Sequence, residues 1–130
     1  MINPFKIGDM QTYMHVVTEA DTARFAAGEV HPVYATFALA RDAEWSGRLF
    51  ILEMKEADEE GIGTSLTIEH LSPAGIGTEV RFESVLTGVK DNNISTSFTA
   101  FAGRRILATG TQKQKIVLKE KLQRLFNGLV

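Results

Sequence analysis

Three residues of this 130-residue chain carry the side chains that acyl transfer requires, a hydroxyl, a carboxylate and an imidazole. They are Thr36, Glu44 and His70. A hydroxyl can act as nucleophile or hydrogen-bond donor, a carboxylate can act as general base, and an imidazole can move a proton near neutral pH. Each also has a purely structural explanation, as helix cap, solvated ion-pair partner or core histidine. Catalysis therefore requires that the fold brings the three side chains together.

The spacing around Glu44 predicts a long helix within residues 33–54. Steps of four and three residues define one helical face, which consists of Ala40, Glu44, Gly47, Ile51 and Met54. Apart from the carboxylate, this face is small or apolar. Burying a carboxylate there without partners is costly, or raises its pKa until the group is neutral. A chain that places an acid at such a position can be using it as a catalytic base. The alternative is a solvated ion pair with Arg41 or Arg48.

Two elements must position the hydroxyl and the imidazole. Thr36 precedes the helical face and is predicted to be the N-cap of the helix, because its hydroxyl can accept from free backbone N–H groups. A charged, solvated connection follows the helix, and residues 62–71 then alternate so that Ile62 and His70 share the apolar face of a strand. Gly47 in a helix interior costs about 1 kcal/mol relative to alanine. The presence of Gly47 despite this cost predicts that the helix packs closely against a sheet.

The remaining chain predicts an α+β fold. A strand at Gln11–Val17 is followed by a short helix that begins after Thr18 and ends at Gly28. The second half predicts three long antiparallel strands joined by tight turns, and then a short terminal helix. Their predicted bounds are Glu79–Val89, Ile94–Ala102, Arg104–Leu118 with a possible break at Gly110, and Lys119–Asn127 with Gly128 at its end. One long helix wrapped by a curved antiparallel sheet is the hotdog fold, and an ordinary α+β sandwich is the alternative.

Composition excludes several classes of function. The length predicts a single domain over residues 1–130, and the net charge of −2 with no basic run argues against a nucleic-acid partner. There are no cysteines, and the three histidines lack ligand spacing, so neither thiolate chemistry nor a metal site is expected. No stretch has the character of a signal peptide or membrane span, which predicts a cytoplasmic protein that does not enter membranes.

Two segments of the sequence resemble a known enzyme family. VYATFALARDAEW, followed by GTSLTIEHLSPAGIGTEV, is similar to hotdog-fold thioesterases related to fluoroacetyl-CoA thioesterase. In that family the reactive threonine follows a valine, an aromatic residue and an alanine, and a Glu-Trp pair begins eight residues later. A Gly-Thr segment precedes the histidine. The resemblance implies catalytic roles for Thr36, Glu44 and His70, and it implies that the backbone of Gly63 lines the same pocket.

The resemblance also implies an activity and an assembly. The implied activity is hydrolysis of a small acyl-CoA thioester, with CoA as part of the substrate and no separate cofactor. The implied assembly is a homodimer, or a higher oligomer, with active sites at the subunit interface. Pairing with a twin would also cover the edge strand and helix side that one chain leaves open.

Candidate contacts to the substrate can also be named. Val30 and Phe37 are expected near the acyl group, and Arg104 and Arg105 are candidates for the CoA phosphates together with Lys113 and Lys115. Two positions depart from the fluoroacetyl-CoA enzyme. Its gating phenylalanine aligns with Val30, and an arginine of its last strand aligns with Gln114. The missing gate argues against fluoroacetyl-CoA as the substrate, whereas thioester hydrolysis remains the prediction.

Two alternative functions remain open at this stage. Hotdog hydratases and dehydratases carry an aspartate followed five residues later by a histidine, and no aspartate of this chain has a histidine at that distance. A non-enzymatic acyl-CoA or small-ligand binding protein would use the same pocket without turnover. Release of free thiol from acyl-CoA separates both alternatives from a thioesterase.

Overall fold

The structure is a computed structural model that describes residues 1–129, so the predicted domain end at Val130 lies outside the described residues. It contains seven strands, two α-helices and one turn of 3-10 helix. In chain order these are β1 (Met10–Val16), the 3-10 turn (Glu19–Asp21), β2 (Thr22–Phe25), β3 (Gly28–Tyr34), α1 (Thr36–Met54), β4 (Glu59–His70), β5 (Glu79–Lys90), β6 (Asn93–Ala102), β7 (Arg105–Leu118) and α2 (Lys119–Asn127).

The large sheet has the strand order β1-β5-β6-β7-β4, and all of its pairings are antiparallel. Helix α1 packs on one face of this curved sheet, as the hotdog prediction requires. Buried and partly buried residues alternate along β5 and β6, because every second side chain points at the helix. The core forms one cluster around Leu39 and Phe82 and another around Phe50 and Leu86. The edges of the sheet are β1 and β4.

A β-bulge in β4 decides which of its side chains face the helix. The register with β7 shifts between Gly63 and Ser65. Gly61 faces Ile51 of α1 before the bulge, and His70 faces Thr36 after it. Nine residues separate the two, so in a regular strand they would lie on opposite faces, and the extra residue of the bulge reverses this. The prediction that Ile62 and His70 share one face is therefore wrong.

The short helix predicted after Thr18 is also wrong in extent. Only one 3-10 turn forms, in which the backbone N–H of Thr18 donates to the carboxylate of Asp21 at 2.9 Å. The chain then makes the β2–β3 hairpin, which turns at Gly28 with a φ of +111°. Glycine adopts that conformation without the strain that a Cβ would bring. Strand β3 then leads directly into α1.

The other elements agree with the predicted order and differ at two places. Strand β4 begins at Glu59, inside the segment predicted to be a solvated connection, because Glu59 and the residues after it pair with β7. Strand β7 continues through Gly110 without the predicted break. Helix α2 has the predicted bounds and ends at Gly128. Within residues 1–129, no helix is both long and apolar enough to cross a membrane.

Candidate active site

The hydroxyl of Thr36 and the imidazole of His70 meet at the first turn of α1. Thr36 is the first helical residue, and Ala35 is the N-cap without a side-chain hydrogen bond. The prediction that Thr36 caps the helix is therefore wrong. Its Oγ1 instead lies 2.9 Å from Nδ1 of His70, where either group can donate. The hydroxyl is thus held by a proton-transfer group rather than by the backbone.

These two residues line a surface cavity of about 310 Å³, which Leu71, Ser72 and Pro73 complete. The Nε2 atom of His70 is shielded from solvent and has no hydrogen-bond partner in the described part of the chain. The first backbone N–H groups of a helix lack carbonyl partners within the helix, and they carry its positive dipole end. The cavity therefore combines a hydroxyl, an imidazole and a helix N-terminus that favours negative charge.

Arg105 lies beside this cavity. Its guanidinium donates to the hydroxyl of Ser72 at 2.9 Å and to the carbonyl of Pro73 at 2.5 Å. Arg104 is exposed in the turn between β6 and β7. Of the four predicted phosphate contacts, Arg105 therefore lies beside the cavity of the Thr36–His70 pair.

Glu44 is exposed in the single chain. The prediction that its carboxylate is buried is therefore wrong for the single chain. The ion-pair alternative is not observed either, since Arg48 pairs with Glu60 and Arg41 is engaged elsewhere. Glu44 lines a second cavity, of about 330 Å³. Its other lining residues are Arg41, Trp45, Arg48, Gly63 and Gln114.

Gly63 makes the room that the carboxylate occupies. A Cβ atom at this position would lie 2.5 Å from Oε1 of Glu44. Gly63 is paired in register with Gln114 of β7, so the glutamine lies directly across the strands from the glycine. Glu44 and Gly63 therefore line one cavity, whereas Thr36 and His70 line the other.

Two buried glutamines of β7 support this cavity, and sequence reasoning assigned neither of them to it. Gln112 donates from Nε2 to the backbone carbonyl of Glu44 at 3.2 Å, and its side chain fills the space beside Gly47. Gln114 lines the cavity itself. Alternation along β7 places both residues on the helix face together with Ile116. This alternation along β7 was the sequence signal that could have placed the two glutamines on the helix face.

One chain does not bring all three predicted catalytic groups together. Thr36 and Glu44 are eight residues apart on α1, a separation of about 12 Å along the helix axis. They line different cavities, Thr36 with His70 and Glu44 with Gly63.

The two residues predicted to contact the acyl group lie outside both cavities. Val30 is exposed on β3, and Phe37 is exposed on the first turn of α1. The ring of Phe37 makes an edge-to-face contact with Phe25 of β2, with the ring centroids 5.7 Å apart. Phe37 directly follows Thr36 in the sequence, but its ring packs on Phe25 and does not line the cavity of Thr36.

A partly buried ionic network lies beside the first half of α1. The side chain of Arg41 donates to Asp21 at 2.8 Å and to Asp42 at 3.0 Å, while Nε2 of His15 lies 2.7 Å from Asp21. Burial alone would raise the pKa of Asp21, but the hydrogen bonds from Arg41, Thr18 and His15 outweigh it and hold that pKa well below its usual range. The network ties β1 and the 3-10 turn to the helix. Apart from the residue types, no sequence pattern indicates this network.

Comparison with known families identifies the relatives of this architecture. The family described as "FlK: Fluoroacetyl-CoA-specific thioesterase" matches residues 17–120. The comparison with curated proteins gives no match.

Several solved structures share this fold. A hypothetical protein of Thermus thermophilus, described as a thioesterase superfamily member, is 33% identical, with a TM-score of 0.94 over 98% of this chain and 95% of that chain. The fluoroacetyl-CoA thioesterase FlK is 21% identical, with a TM-score of 0.90 over 97% of this chain and 98% of its own. A hot-dog-like protein from Thermanaerovibrio acidaminovorans is 22% identical, with a TM-score of 0.86 over 97% and 94% of the two chains.

Proposed function

Because this chain belongs to the fluoroacetyl-CoA-specific thioesterase family of hotdog-fold proteins, we propose that it is an acyl-CoA thioesterase acting on small acyl groups. The observation that carries the proposal is the hydrogen bond between Thr36 and His70 at the open N-terminus of α1. Hydroxyl, imidazole and unpaired backbone N–H groups are the components that a thioester carbonyl requires. Solved complexes of FlK with acetyl-CoA, and with fluoroacetate and CoA, support a substrate of this class.

The thioester carbonyl would bind at the first turn of α1. Its oxygen becomes negative when the carbonyl carbon is attacked, and the backbone N–H groups and the hydroxyl of Thr36 would stabilise that charge. Water would supply the attacking oxygen, with Glu44 as its general base. The carbon–sulfur bond then breaks, and His70 would pass a proton to the leaving thiolate. The products are the free acid and CoA.

Glu44 could reach this centre from a second copy of the chain. Strand β4 is an edge of the sheet, and its residues 63–67 are exposed. A symmetric pairing of β4 with its copy would run antiparallel, so the His70 end of one strand would lie opposite the Gly63 end of the other. The partner's Glu44, which contacts Gly63 of its own chain, would then approach the Thr36–His70 pair.

Two further features support such a homodimer. Long exposed edge strands pair readily with other chains, and β4 spans Glu59–His70. Helix α1 also leaves Phe37, Trp45 and Leu52 exposed. Apolar groups of this size on an uncovered helix side suit a protein interface. A dimer would cover both surfaces.

The CoA moiety would leave the site past Arg105. This residue borders the Thr36–His70 cavity through Ser72 and Pro73, and Arg104 is its exposed neighbour. Guanidinium groups match phosphate geometry and retain their charge at all physiological pH values. We propose the pair as contacts for the CoA phosphates.

A thiol-release assay tests the proposed activity. Acetyl-, propionyl- and butyryl-CoA are supplied to the wild type, His70→Ala and Glu44→Ala, and folding of each variant is checked by circular dichroism. We expect turnover by the wild type and a decrease of about 10²–10⁴-fold in each variant. Equal rates in the folded variants would exclude these residues from the mechanism. Tight binding of acyl-CoA without thiol release would instead identify a binding protein.

A further inference from the structure

A groove between helix α2 and the sheet lies apart from the two cavities already described. Its volume is about 350 Å³. The residues that line it are Ile62, Lys115, Val117, Lys121, Leu122 and Leu125. None of these residues lines the cavity of Thr36 or that of Glu44. The groove is therefore a separate candidate site.

Strand alternation places the groove on the face of the sheet opposite α1. Ile116 is buried in the core cluster of Phe50, beneath that helix. Its neighbours in β7, Lys115 and Val117, therefore point to the opposite face. Ile62 pairs directly with Lys115 across the strands and shares this face. Both proposed catalytic cavities are lined by residues of α1 and lie on the other side of the sheet.

Helix α2 forms the second wall of the groove. The backbone N–H of Lys119 donates to the carbonyl of Asp58 at 2.8 Å, which ties the start of α2 to the chain just before β4. Lys121 and Leu125 are four residues apart and lie on the same side of the helix. Leu122 is buried, whereas Leu125 remains 60% exposed. The groove is thus anchored by one leucine and open to a ligand at the other.

The lining combines aliphatic side chains with two positive charges. Lys115 and Lys121 are both exposed, and neither forms an ion pair within residues 1–129. No acidic residue of the described chain lines the groove. A carboxylate would pair with the ammonium groups, and an attached hydrocarbon chain would remove the aliphatic side chains from water. The matching ligand is therefore an anion that carries an alkyl chain.

We propose that this groove binds the anion of a medium-chain fatty acid such as octanoate. Its carboxylate lies at Lys115 and Lys121, and its alkyl chain lies along Ile62, Val117 and Leu125. At roughly 30 Å³ for a group the size of a water molecule, a volume of about 350 Å³ holds about a dozen non-hydrogen atoms, close to the size of octanoate. Binding there does not depend on thioesterase activity.

Isothermal titration calorimetry with hexanoate, octanoate and neutral 1-octanol tests the site. Octanoate should bind roughly fifteenfold more tightly than hexanoate, because each buried methylene contributes about a fourfold factor. The alcohol keeps the alkyl chain but loses the charge, and should bind about tenfold more weakly than octanoate. Free CoA should not displace octanoate, because both proposed catalytic cavities lie on the other side of the sheet.

Three lysine variants separate the groove from general surface charge. Lys115→Gln and Lys121→Gln should each weaken octanoate binding about threefold, and together about tenfold, with 1-octanol unaffected. Lys113→Gln is the matched control, because Lys113 is an exposed lysine of the same strand that does not line the groove. It should bind octanoate like the wild type.

Leu125→Gln tests the apolar wall. Glutamine is also a good helix former and Leu125 is largely exposed, so thermal unfolding should change little. This variant should bind octanoate and 1-octanol more weakly than the wild type, by a similar factor for both.

Equal affinities for hexanoate and octanoate, an equal loss in Lys113→Gln, or displacement of octanoate by free CoA would overturn the proposal. Absence of octanoate binding would overturn it as well. If Leu125→Gln then also changed the oligomeric state, the groove would be assigned to a second copy of the chain. Thiol release is measured separately, so failure of this site would leave the proposed thioesterase function intact.

Discussion

The Oγ1 atom of Thr36 and the Nδ1 atom of His70 lie 2.9 Å apart, although 34 residues separate them in the sequence. The first turn of α1 supplies the hydroxyl, and the last residue of β4 supplies the imidazole. Since Ala35 rather than Thr36 occupies the N-cap position, the hydroxyl is not needed for helix capping. Because Thr36 does not cap the helix, its part in catalysis can be tested by a substitution that leaves the helix stable.

Replacement of Thr36 by valine should reduce activity without loss of stability. Valine keeps the shape of threonine but cannot hydrogen-bond to His70 or to a substrate. Thr36 is exposed and its side chain makes no capping bond, so the free energy of unfolding should change by less than about 0.5 kcal/mol. We expect kcat for acyl-CoA hydrolysis to fall about 100-fold, whereas Thr36→Ser should stay within tenfold of the wild type. A large loss of stability in Thr36→Val would contradict the assignment.

Two glycines of β4 should respond differently to alanine. At Gly61 a Cβ would lie 2.4 Å from Cγ2 of the fully buried Ile51, so Gly61→Ala should lower the free energy of unfolding by about 1–3 kcal/mol. At Gly63 it would meet the mobile end of exposed Glu44, which can move aside. Gly63→Ala should therefore unfold near the wild-type temperature but lose at least tenfold in kcat, because the carboxylate is displaced. Thermal unfolding and thiol-release rates distinguish the two effects.

The sequence predicted the order and type of the main elements because their patterns are local. The 3.6-residue period around Glu44 and the alternation in the last three strands carry direct information on which face is buried. The mid-helix Gly47 predicted close approach of the sheet, and Gln112 does pack against it. The sequence patterns predicted which residues share a face of the helix or strand. They did not predict which side chain of the sheet packs against Gly47.

The remaining errors concern non-local features. The bulge after Gly63 reverses the facing of β4, and no residue type in GIGTSL marks it. Strand β2 lies within the segment predicted as a helix, because residues such as Ala23 also have good helix propensity. Exposure of Glu44 could not be predicted from its own helix, because the depth of that position depends on which strands cover it.

Replacement of Asp21 by asparagine should remove a stabilising contribution that depends on pH. The pKa of this carboxyl is lowered in the folded protein, so its contribution is complete above the unfolded value, which is near 3.9, and declines as the pH falls below it. Solvent screening at half-exposed Arg41 limits the effect at neutral pH to roughly 2 kcal/mol. Urea unfolding from pH 7 to pH 3 should show a constant difference between wild type and variant above about pH 5, and a shrinking one below pH 4. A difference that stays constant to pH 3 would contradict the ion-pair network as its source.

Mixing two inactive variants should restore activity if Glu44 acts across the subunit interface. In a heterodimer of His70→Ala and Glu44→Ala chains, one site combines both substitutions, while the other combines intact His70 with the partner's intact Glu44. Random reassociation after mild unfolding makes half of the dimers mixed, so about one quarter of wild-type turnover should return. Each homodimer treated alone should remain inactive, and light scattering should report a dimer throughout. If the three groups instead act within one chain, no mixed dimer contains an intact site and the mixture stays inactive.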